Sequence, residues 1–78
     1  MLTKEDKKTL TDLITAYEES KHAVYRAEFR LSSVHKEKGV FCDESVAASE
    51  EWSNEMCKMT INAGRLADFV TEKFSEIV

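Results

Sequence analysis

Glu19 and His22 stand three residues apart, the Glu-x-x-His spacing with which helical bundles hold paired metal ions. That chemistry requires both ligands to point into a core. The surrounding periodicity instead turns them away from the apolar seam, so no metal site is expected. His22 and His35 have no cysteine or carboxylate set at zinc spacing, and Cys57 has no histidine within a turn to activate it. There is no glycine-rich loop to cradle a phosphate. The reading is therefore of a non-enzyme without cofactor.

A different constellation surrounds His22. Tyr25, Arg26, Phe29, Ser33 and Lys36 continue from it at steps of three and four, and with Arg30 beside them they interleave aromatic rings with cations. Rings that bury about 150–250 Å² each are costly to leave in water, and such a stripe usually meets a partner. Its chemistry suits an acidic protein face. Alternatively it suits a nucleotide or a nucleic-acid strand, with a base stacked on Tyr25 or Phe29 and phosphate met by Arg26, Arg30 and Lys36.

These residues need a long helix to position them. Leu10, Leu13, Tyr17, Ser20, Val24, Ala27, Leu31 and Val34 alternate steps of three and four without a slip, the pattern of one helix facing another along a seam. Thr3 caps the start, with Asp6 three residues on. Basic residues and then Gly39 close the end near Lys38. A first helix of about 4–38 results. Ser20, the one small polar residue in mid-seam, is expected to bond back to the Ala16 carbonyl and to help set register.

After the connector Gly39-Val40-Phe41-Cys42, Asp43 reads as the cap of a second helix of about 44–76, and so short a loop sends it back antiparallel. Trp52, Met56, Met59, Ala63, Leu66, Val70 and Ile77 give it a seam interrupted by Lys73. The alternative is a break near Asn62–Gly64 and a three-helix bundle, because Asn62 is a good cap and Gly64 weakens a helix by about 1 kcal/mol. The fold class is thus all-α, a single helical domain over 1–78, assembling into a four-helix or larger bundle.

The chain's 78 residues, absence of proline and two glycines agree with that reading. Charge is unevenly placed: residues 21–38 sum to +3 and residues 43–55 to −5, so the hairpin lays opposite blocks together. A net charge of −4 argues against generic nucleic-acid or membrane-surface binding. No stretch approaches a membrane span or an apolar leader, and the location expected is cytoplasmic. Cys42 and Cys57 lie on the order of 20 Å apart along a helix, too far for a bridge, and are expected to be free thiols.

Function is expected to be protein–protein binding, as an inhibitor or adaptor that forms a homo-oligomer, most simply a dimer. Short helix-only chains of this kind are common among phage and mobile-element proteins that block host machinery such as defence systems, which adds that class by analogy.

Overall fold

The computed structural model describes the main chain of residues 2–77 and side chains as far as Ser75. Two α-helices, α1 (Lys4–Lys38) and α2 (Asp43–Ile77), lie against each other as an antiparallel hairpin 54 Å long and only 17 by 13 Å across. The helix ends follow from local chemistry. The Thr3 hydroxyl accepts from the Asp6 amide at 3.0 Å while the Thr3 amide donates to the Asp6 carboxylate at 3.1 Å, a complete capping box. The Thr3 amide, and then Lys73, hold the Asp6 carboxyl below the usual carboxylate range. Gly39 ends α1 with φ +83°, a conformation open to glycine at little cost, and its amide donates to the His35 carbonyl.

The start of α2 corrects the expectation for Asp43. Asp43 is already helical, and the capping position falls to Cys42, whose sulfur accepts from the Ser45 amide at 3.4 Å. Ser45 knots the turn: its hydroxyl donates to the Gly39 carbonyl and accepts from the Cys42 thiol at 3.3 Å.

The α1 seam lies where the spacing places it, with Val24 and Ala27 buried and the rest half-buried. Ser20 donates to the Ala16 carbonyl at 2.8 Å, as its position in mid-seam predicts. It also accepts from the Asn62 side chain across the seam. Asn62 is therefore an inward bridge rather than a cap, and α2 runs unbroken through Gly64, so no third helix forms.

On α2 the buried or half-buried side chains are Ser45, Ala48, Ser49, Trp52, Glu55, Met56, Met59, Asn62, Ala63, Leu66, Phe69 and Lys73. Val70 is a correction: it is 48 % exposed, and Phe69 holds the seam at that level. The placement expected for Ile77 concerns a side chain outside the described residues. Lys73, which interrupts the apolar pattern, reaches Asp6 at 3.3 Å with both side chains about one-fifth exposed. The Trp52 indole nitrogen is buried without an acceptor among the described residues, a cost of about 1–3 kcal/mol.

Partners step down α2 as they step up α1: Lys73 with Asp6, Asn62 with Ser20, Glu51 with Arg30, Glu44 with Lys38. That ladder brings Trp52 level with the turn between Ala27 and Leu31, a large ring opposite a small residue. Two of its rungs join the basic 21–38 block to the acidic 43–55 block. Both pairs are exposed and worth no more than about 1 kcal/mol each, enough to favour one register.

Candidate functional site

The outer face of α1 is built by the seam on its other side. With Val24 and Ala27 committed inward, a 100° step per residue turns His22, Tyr25, Arg26, Phe29 and Lys36 outward. All are exposed, Tyr25 at 56 % and Phe29 at 76 %. The His22 and Tyr25 rings meet edge to face, 6.5 Å between centroids at 84°, so one turn of the stripe is already organised. Arg26 and Lys36 have no ion pair among the described residues, which leaves two cations flanking the rings.

Arg30 stands apart from this group. It turns to the edge facing α2, where its guanidinium bonds Glu51 beside a shallow groove lined by Ala23, Arg26, Ala27, Arg30, Glu51 and Glu55. Two carboxylates in that groove oppose an anionic ligand there. The six residues singled out from sequence thus divide into His22, Tyr25, Phe29 and Lys36 on the outward face, Arg26 exposed at the edge between that face and the groove, and Arg30, which serves the hairpin.

Glu19 is exposed like His22. Among the described residues no group of three or more His, Cys, Asp or Glu is placed to hold a metal ion. Cys42 and Cys57 are free, the first capping α2 and the second exposed on its flank. No helix is long and apolar enough to cross a membrane among the described residues.

Two surfaces escaped the sequence reading. The turn carries Val40, 58 % exposed, and Phe41, 99 % exposed, at the tip of the hairpin. Read as a mere connector, this pair gave no periodic signal. The second is on α2, where Val46, Val70 and Phe74 stand 51 %, 48 % and 66 % exposed. A signal did exist there, in an uncharged three-four spacing that starts at Val46.

The fold and these surfaces define an all-α helical hairpin with apolar residues turned outward on both helices. Comparison with protein-family models, with curated proteins and with solved structures finds no match.

Proposed function

We propose that the chain is a non-enzymatic binding protein that self-associates and acts by occupying a protein partner, as an inhibitor or adaptor, through the outer face of α1. The observation that carries the reading is the pair of outward rings, Tyr25 and Phe29, flanked by Arg26 and Lys36 on the side of α1 turned away from α2. Burying both rings recovers several kcal/mol at roughly 25 cal/mol per Å², and the flanking cations select an acidic rim around an apolar pocket.

The test is capture of the partner from the native host by wild type and by a Tyr25→Ala/Phe29→Ala variant, with helicity and mass measured on the same samples. Loss of capture at unchanged helicity and mass supports the reading. Equal capture by the two proteins contradicts it.

A second reading takes a nucleotide or a nucleic-acid strand on the same rings, supported by the organised His22–Tyr25 pair and the nearby Arg26. It has lost one cation, because Arg30 is engaged by Glu51. A thermal shift with a nucleotide panel that vanishes in Arg26→Ala would favour this reading. Absence of any shift counts against it.

A further inference from the structure

From Val46 to Phe74, steps of three and four along α2 trace a second stripe beside the seam, about 42 Å long, without one charged residue. One third of the whole chain is charged, so a charge-free path of this length is a departure from the chain's own texture. α1 covers the stripe only in part, leaving Ser49, Met56 and Ala63 half-buried along its inner edge. Val46, Val70 and Phe74 are about half exposed or more, and Ser53, Thr60 and Ala67 are exposed between them.

The exposed area of the hairpin points to a second copy. The hairpin exposes 6003 Å², against about 4,800 Å² for a compact monomer of its 8.9 kDa mass. Its radius of gyration is 17.3 Å where about 11.5 Å is usual for this length. The excess of about 1,200 Å² is of the order that one standard interface removes from each partner, about 800 Å².

The order of residues in the stripe then fixes the sense of packing. Laid antiparallel on itself about a point between Thr60 and Ala63, the stripe sets Ser49 opposite Phe74, Ser53 opposite Val70, and Met56 opposite Ala67. In these three pairs a large side chain meets a small one, as interdigitated helix packing requires. A parallel arrangement would oppose Phe74 to Phe74 and Ser53 to Ser53, stacking bulk on bulk and leaving gaps between hydroxyls. Gly64 lies beside the same midpoint, and a Cβ there would meet nothing within 4 Å in one hairpin. Its small size answers no need inside the hairpin. It suits a close approach from outside.

We propose that two copies pack α2 against α2, antiparallel, about a two-fold axis beside Thr60 and Ala63, to form a four-helix dimer that leaves Tyr25 and Phe29 facing outward. The inference rests on the reading of the chain as a self-associating binder and says where the copies meet. An isologous interface of this kind closes on itself and stops at two.

The test uses single cysteines in a Cys42→Ser/Cys57→Ser background. Ser53→Cys and Val70→Cys proteins, mixed and mildly oxidised, are expected to give a cross-linked species of twice the chain mass, whereas each alone stays uncross-linked because its own copies sit about 25 Å apart along the axis. Cross-linking of each variant with itself, or of neither mixture nor singles, overturns the proposal. Ala67→Glu supplies the second measurement. It sets a charge against Met56 of the second copy, and a fall in solution mass from twice 8.9 kDa to 8.9 kDa is expected. Retention of the double mass by Ala67→Glu overturns the proposal even if partner capture through Tyr25 and Phe29 is intact. Loss of that capture alone leaves the cross-linking result standing.

Discussion

The two flanks of the hairpin seam differ in how their surface is satisfied. On one flank Arg30 meets Glu51 across the helices, beside a groove lined also by Arg26 and Glu55, so a charge of each helix is answered within a single chain. On the other flank α2 presents Val46, Ser53, Val70 and Phe74, which α1 leaves exposed. The same two helices and the same seam support both. What differs is whether the facing side chains find partners inside the chain.

Two valines separate the seam from the uncharged flank most sharply. Val24, 5 % exposed, is expected to cost about 1.5 kcal/mol of stability when changed to alanine, measured by urea unfolding of the dimer-deficient Ala67→Glu protein. Val70→Ala in that background is expected to cost under about 0.5 kcal/mol, since nearly half of the residue is already in water. A cost for Val70 equal to that for Val24 would place it in the seam after all.

The polar bridge across the seam comes next. Asn62→Ala leaves Ser20 bonded to the Ala16 carbonyl but removes its cross-helix donor, and a loss of about 1 kcal/mol is expected. Ser20→Leu, if the register depends on this bridge, gives more than one oligomeric species or a lower melting temperature. A single, more stable species would refute the register role.

On the charged flank the effect is smaller. Glu51→Gln is expected to change stability by no more than about 0.5 kcal/mol, because the ion pair it breaks is exposed on both sides, and the change shrinks further in salt. A loss above 2 kcal/mol would show that this flank does more than fix register.

Acid acts at the open end of the hairpin. Asp6 has a depressed pKa, so its contribution is present above the unfolded-state value and fades as pH falls through the folded one. Melting temperature is expected to hold from pH 7 to about pH 5 and to fall below about pH 4, with a smaller fall in Asp6→Asn. An equal fall in both proteins would remove Asp6 from the explanation.

Much of this architecture was legible in the chain. The α1 seam could be read because its residues are nearly all apolar and in phase, so periodicity and burial say the same thing. Even the Ser20 back-bond followed from position alone. Reading α2 was harder because its true seam includes Glu55, Asn62 and Lys73, polar groups that are half-buried by pairing or bridging across the helices or by shielding only part of their length. Skipping them put Val70 in the seam in place of Phe69, whereas Met56 and Ala63 are half-buried as the spacing expects, at the edge the seam shares with the uncharged stripe. Two parallel patterns were merged into one, and the second disappeared because half its members are serine, threonine or alanine.

The outer face of α1 was legible for the same reason as its seam. His22, Tyr25, Arg26, Phe29 and Lys36 keep one phase and do emerge on one side. Arg30 did not belong with them, since its partner Glu51 comes from a helix whose register had to be known first. Phe41 gave no signal because exposure at a loop tip is decided by the turn, not by periodicity.

The central claim is that the two apolar surfaces have separate tasks, α2 joining copies and α1 meeting a partner. Sedimentation equilibrium of the Tyr25→Ala/Phe29→Ala protein beside wild type tests it most directly. Both are predicted to sediment at twice the 8.9 kDa chain mass with the same association constant. A double variant that falls to 8.9 kDa while wild type stays paired would mean that the outer face of α1 holds the copies together, and would contradict the division.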